Sequence, residues 1–542
     1  MTEARLTSSR WLFPALILVA LVLRLQGLDW DEGRGLHPDE GNLVRAAAAL
    51  GWGRLIPEFH AYNDLALWLP KLVAMPFCDG SDTGCLRLVA RALSALFSTL
   101  AVLAMAGIAL RLAGWLAMLA TALLAATSAP MVQWAHFGTT ESALVLVVAG
   151  LWLHALRWQG GEITTGRMAL GSALMLGLGF GFKSSALVAA VIPLMALVLK
   201  GRPDALRLKA LAWALPLTAL LALAAAPSLI FATQDWLATM QFENGVVQGT
   251  LPVFWTRQFE GGSGPVYQLR QLWGAVDGAG LLLALVGLVL LRGRQIWGIL
   301  PGLAFALVYA GLIFGWHAAF FRYLAPLFPA VLVLAGVGAA VLLSRPSRTG
   351  RALAMAAMAL MAVTGLDLAA SYQARDPRLN AEAALLARVL PGEVVAIEPY
   401  DTPLTGGSEA VVLPLDGGDA LAIATPLSGA DWLLVASRRN WGVLPGVPGS
   451  APLACSYYTA LVRGELGFRA VATFRRASPL GLLTEPGISG EETRVVFDRP
   501  TLILLRNDLR LDAGAIAARI AAAPDPAACT PAALAEAWAR PR

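Results

Sequence analysis

Charge is scarce in this chain. Only 14% of its 542 residues are Asp, Glu, Lys or Arg, where a soluble protein carries about 25%. Hydrophobic residues make up 57%, and the mean hydropathy is +0.64. A surface this poor in charge cannot keep so long a chain in water, which leaves a polytopic membrane protein. Histidine and cysteine are also few, at 5 and 4. None of His37, His60, His136 and His317 has the close spacing of an H-E-x-x-H site, so no dedicated zinc centre is expected. There is no P-loop, no dinucleotide fingerprint after a strand and no G-x-S-x-G. The first apolar run has no small-residue cleavage site after it, so no cleavable leader is expected. No repeat of fixed period and no low-complexity tract occurs.

Hydrophobic runs mark eleven segments: 11–27, 88–110, 113–129, 140–156, 167–182, 184–199, 210–231, 279–291, 297–315, 323–343 and 351–371. As one helix, 167–199 would be about 50 Å long, too long for a hydrocarbon core of roughly 30 Å. A hairpin with Lys183 at its tip fits better, and 113–156 reads the same way with its tip at Pro130 to Glu141. Every second loop is short and basic. Arg5 and Arg10 precede the first span, and Arg111, Arg157 and Arg167 flank later ones. Lys200, Arg202, Arg207 and Lys209, then Arg292 and Arg294, then Arg345, Arg348 and Arg351 complete the set. By the positive-inside rule this gives a cytoplasmic N-terminus and an external C-terminus. The net charge of +5 is thus topological and does not indicate a nucleic-acid partner. All four cysteines fall in segments placed outside, where disulfides form. A Cys78–Cys85 bridge fits within the first loop, and the other two could pair as Cys455–Cys529.

From about residue 372 the hydrophobic runs shorten to strand length, as in Val394–Ile397, Trp432–Val435 and Thr501–Leu505, with helix-like stretches between. The expected fold class is an α-helical polytopic membrane protein of about eleven or more spans with a C-terminal extracytoplasmic α/β domain. The domains are 1–371, with a first external loop at 28–87, and 372–542.

Ionisable groups at membrane depth are costly and point to function. On this topology the external face collects Asp39, Glu40, Arg45, Glu58, His60, Asp64, Lys71, His136, Glu141, Lys183, His317 and Arg322. Asp39 and Glu40 lie between Pro38 and Gly41, on a turn that either aims a carboxylate pair or caps a helix beginning near Gly41. Lys183, followed by Ser184 and Ser185 and a fresh helix start, either binds a phosphate or snorkels to the headgroups. Arg322 offers a planar fork to phosphate, or anchors an aromatic belt. Glu141 is a second catalytic carboxylate or a complement to a helix dipole, with Thr139 or Thr140 as the cap. A divalent cation on Asp39, Glu40 or Glu141 is left open, and no other cofactor is expected.

These stretches resemble the C-type superfamily of polytopic glycosyltransferases (GT-C), in the branch of protein O-mannosyltransferases and the aminoarabinose transferase of lipid A. The likeness is carried by His37-Pro38-Asp39-Glu40, the tip His136 to Glu141, Gly179-Phe180-Gly181-Phe182-Lys183 and Arg322-Tyr323-Leu324-Ala325-Pro326. Arg375 to Arg378, Glu398-Pro399-Tyr400-Asp401 and Gly490 to Pro500 extend it. The chain departs from the pattern in having Glu141 where Asp is usual and Asp498-Arg499-Pro500 where Asp-His-Pro is usual. The resemblance implies a polyprenyl-phosphate-linked sugar as donor and a glycan, lipid or protein as acceptor, in a bacterial inner membrane.

The chemistry of the residues fits that expectation. Asp39 would be the base, with Glu40 supporting it or orienting the acceptor, and Glu141 a further carboxylate. Lys183 and Arg322, with Tyr323 and His136, would hold the lipid phosphate. His37, Tyr62 and His317 would support the acceptor or the loops. One base opposite one leaving group implies inversion. The alternatives are a flippase for a polyprenyl-linked glycan, disfavoured because no inverted or parallel repeat is present, and a non-catalytic scaffold of envelope assembly.

Overall fold

A computed structural model describes residues 11–201, 204–262, 264–400, 409–416, 418–435, 438–481 and 491–539. Arg5, Arg10, Arg202, Asp401 and Gly490 lie outside the described residues. The chain divides into two compact units. The first takes residues up to Asp29, Asp39–Gln248 and Gly264–Gln373; the second takes Trp30–Pro38, Gly249–Ser263 and Ala374–Arg542.

The first unit is helical. Its main helices are α1 (Leu12–Leu25), α2 (Pro38–Ala48), α3 (Leu65–Ala74), α4 (Thr83–Ala126), α5 (Ala129–Ala135), α6 (Glu141–Gln159), α7 (Thr165–Phe182) and α8 (Val191–Leu199). There follow α9 (Ala205–Ala225), α10 (Thr233–Gln248), α11 (Gly264–Ala275), α12 (Ala279–Leu290), α13 (Arg294–Phe314), α14 (Phe328–Ser344) and α15 (Arg348–Ser371). All eleven hydrophobic segments fall on helices. Six helical segments among the described residues are long and apolar enough to cross a membrane, or seven if α11 and α12, bent by 99°, make one span.

The expected breaks have local causes. α4 is two helices across a kink at Ala113–Gly114, where Gly114 takes a φ of 82° that a side chain would strain. The run 167–199 breaks at Lys183, which stands extended between α7 and a 3₁₀ turn at Ser184–Ala190. One buried cation ties the bundle together near the end of α4. Arg24 of α1, fully buried, donates to Ser98 Oγ at 2.8 Å and to the carbonyls of Ala125 and Ala126 at 2.9 and 2.8 Å. Those two carbonyls lie in the last turn of α4, where a cation complements the dipole. Elsewhere helices meet through glycine. A Cβ at Gly338 of α14 would run into the carbonyl of Leu283 of α12, so only the bare backbone allows that approach.

The second unit is built on a five-stranded mixed sheet of β1 (Val395–Ile397), β2 (Ala410–Val412), β3 (Trp432–Val435), β4 (Phe468–Phe474) and β5 (Leu502–Asn507). The order is β2-β1-β3-β5-β4, with β1 parallel to β2 and β3, and β5 antiparallel to β3 and β4. β1 and β3 are buried along their whole length, as strands covered on both faces are, and cores of Leu433, Tyr457 and Ile516 on one side and Leu385, Trp432 and Leu504 on the other enclose them. Both disulfides form: Cys78–Cys85 in the first unit and Cys455–Cys529 in the second.

Candidate active site

The acidic pair does not sit on a turn before a helix, as its Pro and Gly neighbours suggest. α2 begins at Pro38 itself, because a proline needs no hydrogen-bond partner at the first helical position. Asp39 and Glu40 therefore occupy the first turn. Successive side chains on a helix diverge by about 100°, and the two acids part company.

Asp39 accepts a hydrogen bond on Oδ2 from Arg322 Nη1 at 2.7 Å. Glu40 is fully buried in the opposite direction. Its oxygens accept from Arg91 Nε at 2.8 Å and Nη2 at 2.6 Å, and from the Gly138 amide at 2.7 Å, while Arg87 Nε stands 3.8 Å away. A Cβ at Gly138 would come within 2.8 Å of Ala90 Cβ, so the loop reaches Glu40 only with glycine there. Glu40 thus fastens α2 to α4 and to the 136–141 tip.

Around the Asp39–Arg322 pair lie Lys183, Tyr62, Tyr323, Glu141 and Glu243. The Lys183 ammonium stands 5.3 Å from the ring centre of Tyr62 and 5.8 Å from that of Tyr323, and Glu141, Arg322, Asp39 and Glu243 all act on its charge. Arg322 lies 4.7 Å from the Phe320 ring centre. Its Nε is buried and has no hydrogen-bond partner among the described residues. Burial pushes the Tyr62 hydroxyl well above its ordinary pKa, with Asp39 adding to the effect and Arg322 opposing it. Glu141 is 3% exposed and starts α6. Thr140 makes no capping hydrogen bond with its side chain, and its Oγ1 is buried without a partner, so the Thr140 cap is not realised, while Glu141 does stand in the first turn, where a carboxylate complements the dipole.

Glu243 of α10 was not among the residues singled out from sequence. Burial raises its pKa, with Arg322 and Lys183 pulling it down and Asp39 adding to the rise. The one available signal was an acid on a helical stretch of the long loop 232–278.

Polar links fix these parts. Asn63 donates from Nδ2 to Phe180 O at 2.5 Å and accepts from Trp236 Nε1 at 3.0 Å. Asp64 accepts from the Ser228 amide and hydroxyl at 2.7 and 2.8 Å. The residues beside Tyr62 are thereby tied to the end of α7 next to Lys183 and to the approach of α10. Arg322 rides on a 3₁₀ turn at Phe321–Leu327, held by Gln271 Nε2 donating to Ala319 O at 2.6 Å and by Trp134 against Phe321 at 5.3 Å. The Ala318 amide donates to Val247 O at 3.1 Å, joining that segment to the end of α10.

His136 does not fit a donor-binding role. It is fully buried, its Nδ1 and Nε2 each lie 2.8 Å from a carbonyl (Val132 and Gln26), and its ring stacks on Tyr372 at 3.8 Å. No ring nitrogen is left for a phosphate. His317 is partly buried beside Ala318. His37 belongs to the second unit, where its ring meets Phe497 at 4.2 Å. Among the described residues no three His, Cys, Asp or Glu side chains gather as metal ligands. The oxygens of Glu40 already serve two arginines, so a divalent ion on Glu40 does not fit.

No protein-family profile matches the sequence, and no curated protein sequence does. Among solved structures the chain is similar to the archaeal oligosaccharyltransferase AglB from Archaeoglobus fulgidus, in complex with an inhibitory peptide and a dolichol-phosphate. The TM-score is 0.51 at 12% identity, over 91% of this chain and 78% of that one. ArnT from Cupriavidus metallidurans in the apo state gives a TM-score of 0.48 at 14% identity, over 92% of this chain and 98% of that one. The likeness to AglB shows a shared fold. With its long apolar helices, the chain is an integral membrane protein.

Proposed function

We propose that the chain is a membrane glycosyltransferase that moves a sugar from a polyprenyl-phosphate carrier to an acceptor hydroxyl, with inversion, on the external face of a bacterial inner membrane. The observation that carries it is Arg322, a half-buried guanidinium with one hydrogen bond to Asp39 and a buried, unpaired Nε, beside a second half-buried cation, Lys183. Two neighbouring cations, walled by Tyr62, Tyr323 and Phe320, suit an anionic group that arrives in the membrane. The similarly folded AglB structure holds a dolichol-phosphate, which is the same ligand chemistry.

In this reading the carrier phosphate takes over Arg322 and meets Lys183, which releases the Asp39 carboxylate. Asp39 then accepts the proton of the acceptor hydroxyl while its oxygen attacks the anomeric carbon. The bond from that carbon to the phosphate oxygen breaks, its electron pair goes to the phosphate, and Lys183 and Arg322 neutralise the charge. Tyr62 and Tyr323 wall the cations, Glu141 and Glu243 orient the acceptor or the cations, and Glu40 positions α2. His37 and His317 support the acceptor or the loops.

The test is to supply membranes containing the protein with a panel of polyprenyl-phosphate sugars and follow donor loss for wild type and Asp39→Asn. Turnover by wild type that is abolished in the variant supports the reading. Unchanged turnover in Asp39→Asn removes its base, and a retained anomer in the product removes the direct displacement.

A further inference from the structure

The proposed reaction leaves one cavity of the first unit unused. It lies among α7, α8 and α9, lined by Met168, Leu176, Leu194, Leu197, Leu211 and Ala214 among others, as a groove open on one side with a cavity volume of about 90 Å³. Its walls are almost wholly apolar. Thr165 and Arg207, near the first turns of α7 and α9, and Leu197, near the end of α8, mark one end; Leu176, Ala190 and Thr218 mark the other. α9 buries almost none of its surface, so the cavity is reached from the hydrocarbon side.

The first end is cationic. Arg207 lines the cavity and donates from Nη1 to Lys200 O at 3.2 Å. The Lys200 ammonium stands 4.3 Å from the Trp158 ring centre, and the Arg207 guanidinium 5.9 Å from it. Arg167 and Lys209 are exposed in the adjoining first turns. Asp204 stands 3.4 Å from the Arg207 guanidinium and accepts from its amide at 2.8 Å, while Glu162 serves Arg111 at 2.7 Å and Arg157 at 3.3 Å.

Water has too few polar partners to fill such a cavity, and an empty one forfeits packing. Hydrocarbon fills it, and the basic end selects the headgroup. We propose that the cavity binds one acyl chain of an anionic glycerophospholipid, whose phosphate sits at Arg207 and Lys200. This lipid site stands whether or not the chain is a transferase.

The experiment uses the full chain, delipidated in detergent, with binding followed by native mass spectrometry and thermal unfolding. The probes are phosphatidylglycerol, phosphatidylcholine of identical acyl chains, and undecaprenyl phosphate. Expected is one retained phosphatidylglycerol with a raised Tm, and binding of phosphatidylcholine about ten-fold weaker or worse. Arg207→Gln lowers phosphatidylglycerol affinity roughly five-fold. Ala214→Phe, which fills the cavity from the open side of α9, abolishes it; should that variant fail to fold, Leu194→Trp fills it from α8. Equal binding of the two phospholipids, or unchanged binding in the filled variants, overturns the proposal. So does loss of undecaprenyl phosphate alone on filling, which would assign the cavity to the carrier's tail.

Discussion

Arg322 and Asp39, 283 positions apart in sequence, meet at 2.7 Å through a single hydrogen bond from Nη1 to Oδ2. The base and the phosphate-binding cation of the proposed reaction thus neutralise each other until a substrate separates them. Asp39→Asn is accordingly expected to do two opposite things. Turnover falls by 10² or more, the usual worth of a general base, while affinity for the donor rises because Arg322 loses its competitor. Donor binding by calorimetry beside a turnover assay reads both; a variant that loses both together was only holding the fold.

Arg322→Lys keeps the charge but removes the planar fork and its unpaired Nε. Donor affinity is expected to drop about ten-fold or more, as for a charge-assisted contact worth 1.5–3 kcal/mol. Lys183→Ala is expected to weaken the donor by a similar factor. Equal donor affinity in wild type and both variants would take the phosphate away from this pair.

Glu40 and Asp39 separate cleanly by measurement. Glu40→Gln leaves Arg91 buried without its counter-charge, and breaking such a pair costs about 3–5 kcal/mol. The melting temperature should fall sharply in Glu40→Gln and little in Asp39→Asn. Gly138→Ala, which forces the 136–141 tip off Glu40, should follow Glu40→Gln.

In the second unit, Asp431 gives a pH signature. Burial would raise its pKa, but hydrogen bonds from the Val394 amide at 2.9 Å and from Arg510 outweigh that and hold it below its ordinary 3.8. A carboxylate depressed by folding stabilises at pH values above its unfolded pKa, and the contribution is lost as pH falls through the folded value. The protection of the β1 and β3 amides, relative to free-peptide exchange at the same pH, should therefore fall below about pH 4. The same strands in Asp431→Asn should exchange faster at pH 7 and respond less to acid.

The Cys455–Cys529 bridge closes a span of 74 residues. Chain-entropy reasoning gives it roughly 4 kcal/mol, so Cys455→Ser should lower the unfolding temperature of the second unit while Cys78→Ser, with a separation of 7, acts only locally. Limited proteolysis across a temperature series distinguishes the two.

The sequence by itself determined the membrane class, the placing of the hydrophobic runs on helices, the break at Lys183 and the Cys78–Cys85 pairing, whereas the Cys455–Cys529 pairing was open until the second unit was folded. Hydropathy and spacing are local properties, and burial in hydrocarbon enforces them segment by segment. Asp39, Lys183 and Arg322 stood out because a charge is costly among apolar runs. Only the tertiary structure decided how those charges are shared. Adjacent acids at 39 and 40 look equivalent in sequence, but one turn of α2 sends the first to Arg322 and the second to Arg91. Glu243 joins the cluster because α10 folds back against the segment before Arg322, and His136 leaves it because two carbonyls claim its ring. Ion pairs between residues 51 to 283 positions apart have no signature in a single chain, since any of several arginines could have met either acid.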